Sequence, residues 1–329
     1  MKPLDFGRSD DPRVQAQLDR LSALSVPQGR LGLDTIRALM ERLGNPHRKL
    51  PPVFHVAGTN GKGSTCAFLR AMLEAEGYRV HVTTSPHLVR YNERIRLAGE
   101  LISDEALAAV LAEVLDANEQ GGEDLGPSFF EVTIAAAFLA FSRTPADVCV
   151  VEVGMGGRFD ATPVLEPEAL AACGIAALGL DHERFLLAPE SGVPAEPMAR
   201  IGFEKAGIAK AGVPLVTLWY DDHIHEAVAA QADRAQLLRL LATDEGDGAA
   251  DGSAEGARPP SLPSNKMAST HSVSRPRRAV TRNPTPQLVR CICSALTAPR
   301  VPISFPFWGG ATSALIQATN DRDDSRLGS

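Results

Sequence analysis

The sequence predicts an α/β fold with a mostly parallel sheet and helices on both of its faces. Short apolar runs rich in β-branched residues alternate with longer segments whose apolar residues recur at helical spacing. Glycine and proline residues separate these segments. A glycine-rich loop lies between the first such apolar run and a helical segment. Strands that alternate with helices in this way pair in parallel and are buried on both faces.

The predicted elements can be placed along the chain from their patterns. Four strands are predicted, at VFHVAG (53–58), YRVHVTT (78–84), ADVCVVEVG (146–154) and VPLVTL (213–218). Four helices are predicted, at 31–43, 64–77, 103–120 and 129–143. Ser103 is the expected N-cap of the third helix, and Gly77 is the expected end of the second.

Composition excludes several classes of protein. The net charge of −7 argues against a general nucleic-acid-binding protein, which carries an excess of Lys and Arg. No apolar run is long enough for a membrane span, and the first residues lack the apolar stretch of a secretory signal. The five cysteines are odd in number and scattered, which indicates reduced thiols in a cytoplasmic protein. Cys291 and Cys293 alone do not make a metal site.

The character of the chain changes near residue 241. We predict an ATP-binding domain at 1–240, a flexible linker at 241–265 and a disordered or irregular tail at 266–329. Residues 256–320 contain no Asp or Glu but 8 Lys or Arg and 9 Pro, whereas residues 1–240 have 32 acidic and 23 basic residues. Either this tail is disordered, or the coding frame was lost there; a functional basic arm is a third interpretation.

The loop VAGTNGKGST, residues 56–65, carries the clearest chemical signal. It differs from the common phosphate-binding pattern G-x-x-x-x-G-K-[ST], because Gly63 follows Lys62 and the hydroxyls come at Ser64 and Thr65. Its glycines let backbone N–H groups approach a phosphate, and the helix expected from Ser64 presents its N-terminus to the same anion. The loop predicts nucleotide binding. The alternative is a tight strand-to-helix turn with an incidental lysine.

Several polar residues lie near the ends of later apolar runs. Ser85 follows the second strand, and Glu152 ends the third, at the edge of a parallel sheet where ligands collect. A carboxylate near a triphosphate loop is a natural Mg²⁺ ligand. His182 follows a further apolar run, and Lys205 lies in EKAGI. Taken singly, His182 is typical of an ordinary polar residue and Lys205 of a solvated helix lysine.

Taken together and in order, GTNGKGS, TSPH…NERI, EVGMGGRFDAT, GLDH and EKAGI resemble the folylpolyglutamate synthase and dihydrofolate synthase family. That family belongs to the Mur-ligase-like ATP-dependent amide ligases, and the resemblance covers about residues 15–217. It implies a fold like the P-loop NTPase-like central domain of Mur ligases. It also implies that ATP phosphorylates a dihydropteroate or reduced-folate carboxylate, which the amine of L-glutamate then attacks. A monomer is common in this family.

The resemblance implies roles for particular residues. It assigns the ATP phosphates to Thr59, Asn60, Gly61, Lys62, Gly63, Ser64 and Thr65. It assigns Mg²⁺, with two ions expected, to Ser85, Glu152, His182 and Ser64. Lys205 matches a lysine that the family carbamylates, and Lys62, Lys205 and His182 are the candidate catalytic residues. Loops that embrace the pterin match Leu31, Gly32, Leu33, Ser128, Phe129, Phe130 and Glu131, with Phe130 able to stack on the ring.

The sequence departs from the family pattern in two places. His182 and Lys205 are 23 positions apart, more than in the family, so the extra residues LLAPESGVPAEP either loop out or displace Lys205. No counterpart of the family's later motifs, including its D-G-A-H-N-P-like segment, follows the linker. A peptidoglycan-precursor ligase of the Mur type and a non-catalytic nucleotide- or folate-binding fragment therefore stay open as alternatives to a complete ligase.

Overall fold

The structure is a computed structural model that describes residues 7–24, 32–122, 124–188, 190–218, 220–232 and 236–240. The predictions for Leu31, for the linker at 241–265 and for the tail at 266–329 lie outside these residues. In the described ranges the helices are α1 (Pro12–Ala23), α2 (Asp34–Arg42), α3 (Lys62–Ala75), α4 (Asp104–Asn118), α5 (Phe129–Arg143), α6 (Glu183–Leu186), α7 (Pro197–Ala206) and α8 (Asp222–Gln231).

The strands form one eight-stranded sheet. They are β1 (Val53–Ala57), β2 (Val80–Thr83), β3 (Ile95–Leu97), β4 (Glu100–Leu101), β5 (Val148–Glu152), β6 (Leu170–Ile175), β7 (Pro214–Leu218) and β8 (Gln236–Leu240). Their order is β4-β3-β2-β5-β1-β6-β7-β8, and only the pairings β2–β3 and β3–β4 among them are antiparallel. The prediction of a mostly parallel α/β sheet is confirmed.

The side chains of β1 show how the sheet is buried on both faces. Val53 and Ala57 belong to a core cluster that includes α1, α2, α4 and α5, whereas Phe54 and Val56 pack in a second cluster with α3. Successive side chains of a strand point to opposite faces, so the two clusters cover the two sides of the sheet. All five residues of β1 are buried, as expected for a central parallel strand.

The helices predicted at 103–120 and 129–143 form α4 and α5 with bounds that agree to within two residues, whereas the helix predicted at 31–43 begins only at Asp34 and α1, α6, α7 and α8 were not predicted. The Oγ of Ser103 accepts a hydrogen bond from the backbone nitrogen of Ala106, which confirms the predicted N-cap of α4. Helix α3 begins at Lys62 rather than at Ser64. The reason is that Gly61 at the N-cap has φ +80°, a left-handed conformation that turns the chain into the helix without a side-chain cap.

Three parts of the sheet were not predicted. One is β8 (Gln236–Leu240), which pairs with β7 at the edge opposite to β4. Residues 95–101 form the antiparallel β3–β4 hairpin at one edge, and Leu170–Ile175 form β6 beside β1. Strand β6 ends at Ile175, so Asp181 and His182 lie in the segment beyond it rather than directly at a strand end. Among the described helices, none combines the length and the hydropathy needed to cross a membrane.

Candidate functional site

The loop after β1 is a preformed turn that exposes the N-terminus of α3. Gly58 has φ +147° and lies against Ala176, the residue that follows β6. A Cβ atom on Gly58 would come within 2.8 Å of the Cβ of Ala176. Gly61 then turns the chain into α3, whose first N–H groups have no partner within the helix. Gly63 and Ser64 are exposed in this first turn. The geometry suits an anion, since free N–H groups and the helix dipole favour negative charge here.

Lys62 and Thr65 hold the loop in shape. The Nζ of Lys62 donates to the carbonyl oxygens of Gly58 and Thr59, at 3.0 and 3.3 Å. The hydroxyl of Thr65 is buried and donates to the carbonyl of Gly61 at 2.8 Å. Thr65 is therefore a structural residue of the turn, whereas Ser64 presents its hydroxyl on the outer side.

The other side of the loop is attached to the segment after β6. The backbone nitrogens of Thr59 and Asn60 both donate to the carbonyl of Ala177, at 2.8 and 3.1 Å. The hydroxyl of Thr59 donates to the carbonyl of Gly179 at 2.9 Å and accepts from its nitrogen at 3.1 Å. These bonds fix the loop against the residues that lead to Asp181 and His182.

Glu152, at the end of β5, lies directly beside the loop. A Cβ atom at Gly63 would be 3.9 Å from its Oε2, and that oxygen accepts a 3.1 Å hydrogen bond from the nitrogen of Ser85. Burial raises the pKa of the Glu152 carboxyl to about 7, against the lowering effects of the Ser85 hydrogen bond and of Lys62. A buried carboxylate without a cationic partner in contact is suited to a metal cation.

Lys205 is the second unusual ionisable group, in the last turn of α7. Only 2% of the residue is exposed. Burial, and then the charge of Lys62, lower the pKa of its amine to about 8, while Asp181, Asp160 and Glu204 act in the opposite direction. The charges of Lys62, Asp160 and Asp181 therefore lie close enough to the Lys205 amine to affect its pKa.

His182 lies at the exposed side of the candidate site, next to Asp181. It adopts a left-handed conformation with φ +48° at the N-cap of α6, and 45% of its side chain is exposed. Its Nε2 lies 3.3 Å from the Oδ2 of Asp181. The described residues contain no group of three or more His, Cys, Asp and Glu side chains placed to hold a metal ion. A metal at Glu152 would therefore need hydroxyl, water or phosphate oxygens as further ligands.

Of the predicted pterin residues in 128–131, two cap helix α5 and two place an aromatic ring against a neighbouring residue. Ser128 and Glu131 form a capping box for α5, with bonds of 2.7 Å from the Ser128 nitrogen to Glu131 and 3.2 Å from the Glu131 nitrogen to the Ser128 hydroxyl. The ring of Phe130 covers Gly154, where any Cβ atom would overlap it. Phe129 makes an edge contact with Tyr91, with ring centroids 6.0 Å apart.

The first predicted pterin loop is only partly described. Gly32 is exposed, with open space on its Cα, whereas Leu33 is half-buried against the core at the start of α2. Gly32 is thus the more accessible of the two. Its neighbour Leu31 lies outside the described residues.

Sequence reasoning missed a buried polar chain beneath the site, formed by His55, Thr162 and Asp160. The Nε2 of His55 lies 2.8 Å from the hydroxyl of Thr162, which donates to Asp160 at 2.5 Å. Asp160 also accepts from the backbone nitrogens of Met155 and Thr162, at 2.9 and 3.0 Å. Because the Thr162 proton goes to the carboxylate, His55 must donate through Nε2. Asp160, in the motif GGRFDAT, was the sequence feature that could have indicated this chain of hydrogen bonds.

This chain of hydrogen bonds connects β1 with the glycine-rich turn after Glu152. Asp160 and His55 are fully buried or nearly so, and burial raises the pKa of Asp160 and lowers that of His55 to about 3. His55 is therefore neutral at ordinary pH. The arrangement holds the turn at 154–157 in place between Phe130 on one side and α7 on the other.

The chain is similar in sequence and fold to a group of ligases. No protein-family profile matches the sequence. The chain is 40% identical over 210 residues to the dihydrofolate synthase/folylpolyglutamate synthase of Bacillus subtilis. The aligned region covers 62% of this chain and 45% of that relative. The described fold is similar to that of E. coli FolC in complex with DHPP and ADP, with a TM-score of 0.59 and 35% identity, covering 69% of this chain and 51% of that one.

A second solved structure extends the comparison to a metal and an amino acid. A bifunctional folylpolyglutamate synthase/dihydrofolate synthase with Mn, AMPPNP and L-glutamate bound has a TM-score of 0.57 and 35% identity, and covers 69% of this chain and 51% of its own. The resemblance found in the sequence is confirmed. This chain nevertheless spans only about half the length, or less, of the proteins it matches.

Proposed function

We propose, since the comparisons relate this chain to the folylpolyglutamate synthase and dihydrofolate synthase family, that it carries the ATP-binding part of a folate–glutamate ligase. The reaction joins L-glutamate to dihydropteroate or a reduced folate. One observation carries this proposal: the carboxyl of Glu152 lies beside the glycine loop that exposes the N-terminus of α3, and the charge of Lys62 in this loop acts on the buried amine of Lys205. An anion-binding loop with its lysine and a buried carboxylate that can hold a divalent cation are groups that phosphoryl transfer uses.

The nucleotide phosphates bind at residues 59–65. The N–H groups at the start of α3 donate to the phosphate oxygens, and Lys62 exchanges its carbonyl partners for an outer phosphate. Ser64 presents a hydroxyl at the exposed face of the same turn. Thr65 contributes by fixing the turn through its bond to Gly61.

Glu152 provides the fixed negative charge for a divalent cation. Ser85, whose nitrogen already contacts Glu152, and Ser64 supply hydroxyl oxygens, and His182 lies at the exposed side of the site as a further ligand. When bound, Mg²⁺ supplies charge neutralisation at the phosphate oxygens. A relative holds Mn together with AMPPNP and L-glutamate, which supports a divalent cation here. Two ions are proposed, and the second depends on Lys205.

Lys205 is proposed to be carbamylated. Its burial and the nearby charge of Lys62 favour the neutral amine, which is the form that reacts. The ammonium first releases one proton. The neutral amine nitrogen then forms a bond to the carbon of CO₂, one C=O π bond opens to a C–O⁻ group and the nitrogen releases a second proton, so a cation becomes a carbamate anion. An anion at this position would balance a second cation near Glu152, whereas an ammonium would repel it.

The substrate carboxylate is proposed to approach from the side of Gly32 and Phe130. A pterin ring would stack near Phe130, whose own position is set by Gly154. One carboxylate oxygen attacks the γ-phosphorus and ADP leaves; the amine of glutamate then attacks the acyl carbon, phosphate leaves and the amine loses a proton. Exclusion of water protects the acyl phosphate. The three described cysteines, Cys66, Cys149 and Cys173, are free and buried, which fits a reducing compartment such as the cytoplasm.

The test is product formation by the full chain. The protein is incubated with ATP, Mg²⁺, L-glutamate and either dihydropteroate or tetrahydrofolate, and both ADP and the glutamylated product are measured. Substrate-dependent product that is lost in Glu152→Gln and kept in Glu168→Gln, a change at an exposed residue, supports the proposal. Product with a muramyl-type precursor but not with folates would overturn the folate assignment.

The second candidate is a nucleotide-binding fragment without turnover. It is favoured by one observation, that the chain spans 45% of the Bacillus subtilis relative. This candidate predicts Mg²⁺-dependent ATP binding by calorimetry together with no ADP release in the presence of any folate. The same Lys62 and Glu152 variants would then weaken binding only.

A further inference from the structure

Glu190, in the extra segment between α6 and α7, pairs with two arginines that lie outside this segment. It accepts from both terminal nitrogens of the Arg158 guanidinium, with 2.8 Å between its Oε1 and the Nη1 of Arg158. It also accepts a 2.9 Å bond from the Nη2 of Arg200, a residue of α7. Glu190 therefore connects the glycine-rich turn, the extra segment and α7.

A second carboxylate, that of Glu204, binds the same two arginines. Glu204 accepts from Arg158 at 2.8 Å through Oε1 and at 3.2 Å through Oε2. The Nε of Arg200 lies 3.1 Å from the Oε1 of Glu204. We call Arg158, Glu190, Arg200 and Glu204 the ion-pair cluster. It has two positive and two negative charges.

The charge balance of the ion-pair cluster depends on Glu190. The side chains of Arg200 and Glu204 are 6% and 4% exposed, whereas that of Glu190 is 40% exposed. Without Glu190, two guanidinium groups would share one buried carboxylate. An uncompensated buried charge is strongly unfavourable, so α7 would have to move Arg200 toward water.

Any movement of α7 reaches Lys205 directly, because Lys205 follows Glu204 in its last turn. The nitrogen of Arg158 donates to the carbonyl of Glu204 at 2.9 Å. A Cβ atom at Gly157 would lie 2.8 Å from the carbonyl oxygen of Lys205 and 3.0 Å from its Cα. The turn and the end of α7 are thus packed without spare space.

We propose that Glu190 is a positioning residue for Lys205, which it keeps buried beside the phosphate loop by holding α7 against the turn at Gly157 through Arg158 and Arg200. The inference rests on the proposed role of Lys205. Of the two alternatives that the sequence left open for the extra residues, the proposal favours looping out over displacement of Lys205.

The test compares Glu190→Gln with the unmodified full chain. Glu113→Gln is the matched control, because Glu113 also makes a two-point pair with an arginine, Arg143, but on the surface of α4 and α5. All three proteins are treated with a limiting amine-reactive reagent at one fixed pH. Mass spectrometry then gives the rate of modification of Lys205 relative to exposed Lys49 in the same molecule.

We expect Lys205 to be modified about tenfold faster in Glu190→Gln, the change produced by losing one charge-assisted contact that opposes opening of the helix end. The ratio should be unchanged in Glu113→Gln even if both variants melt at lower temperature. An unchanged ratio in both variants, or an equal rise in both, overturns the positioning role. The readout does not use ligase activity, so failure of the positioning role and failure of the proposed function give different results.

Turnover provides a second readout if the protein is active. A misplaced Lys205 should lower kcat in Glu190→Gln while the KM for ATP stays within about twofold, because the phosphate loop is untouched. A rise in KM with constant kcat would contradict the inference, since it would place the effect at nucleotide binding.

Discussion

The Oε2 of Glu152 accepts a hydrogen bond from the backbone nitrogen of Ser85 at 3.1 Å, which joins the ends of β5 and β2 beside the phosphate loop. This bond stabilises the ionised carboxyl, but burial acts more strongly in the opposite direction and raises the pKa of Glu152 to about 7. The candidate site thus contains a buried carboxyl group whose ionised form is costly without a neighbouring cation.

The first prediction concerns pH and stability without Mg²⁺. An unfolded glutamate titrates near pH 4.3, so between about pH 4.3 and 7 the folded protein holds a proton that the unfolded chain has released. This contribution is complete below pH 4.3 and is lost as the pH rises through 7. The free energy of unfolding of the unmodified protein, relative to Glu152→Gln, should fall by up to about 3 kcal/mol between pH 5 and 8.

Urea denaturation at several pH values measures this difference. The exposed Glu168→Gln variant is the control, and its difference from the unmodified protein should not depend on pH. A pH-independent difference for Glu152→Gln would show that the carboxyl is already ionised in the folded protein.

The second prediction concerns Lys62. Replacement with Met keeps the length of the side chain but removes the charge that would meet an outer phosphate, and the bonds to Gly58 and Thr59 are lost as well. We expect a 10- to 100-fold rise in the Kd for ATP, the effect of losing one hydrogen bond to a charged group. Calorimetry measures it. The exposed Lys49→Met variant should bind ATP normally, and normal binding by Lys62→Met would place the phosphates elsewhere.

The third prediction concerns the buried chain from His55 to Asp160. Thr162→Val keeps the shape of the side chain but leaves the His55 Nε2 and one Asp160 oxygen short of a partner. The free energy of unfolding should fall by about 1–3 kcal/mol, the cost of unsatisfied buried polar groups. Thr162→Ser keeps the hydroxyl and should lose clearly less. Equal losses in the two variants would assign the effect to packing of the methyl group.

The fourth prediction concerns the contact between Gly154 and Phe130. A methyl group at Gly154 overlaps the ring, so Gly154→Ala must displace Phe130 or the turn. We expect a loss of stability of about 1–3 kcal/mol, typical of overpacking, together with weaker binding of folates. Gly32→Ala meets no atom within 4 Å and is the control for stability. Folate affinity unchanged in Gly154→Ala would separate Phe130 from the pterin.

Local patterns predicted four of the eight strands of the sheet (β1, β2, β5 and β7) and the glycine loop after β1. Residues 129–143 were predicted as a helix and form α5 with the same bounds, because Ser128 and Glu131 cap an unbroken apolar stretch. The start of α3 was placed two residues late, since the left-handed Gly61 leaves no side-chain cap to recognise. Strand β6 was missed because Ala171 to Gly174 are small residues with weak strand preference.

The site itself was predictable only where its residues follow strand ends. Glu152 and Ser85 could be placed together because parallel strands end at one edge. The contact between His55 and Thr162 joins residues 107 positions apart, and nothing in either local pattern indicates it. The role of Glu190 was equally hidden, because the geometry of a long connecting segment depends on the charges it meets after folding.

Strand β1 lies between β5 and β6, with paired neighbours along its whole length. Backbone amides in such a strand exchange their hydrogens with solvent only when the entire sheet opens. The glycine loop is therefore held rigid at one end by β1, a central strand that unfolds together with the sheet. If the proposed triphosphate binds at this loop, its N–H donors are already aligned and little ordering entropy is lost on binding.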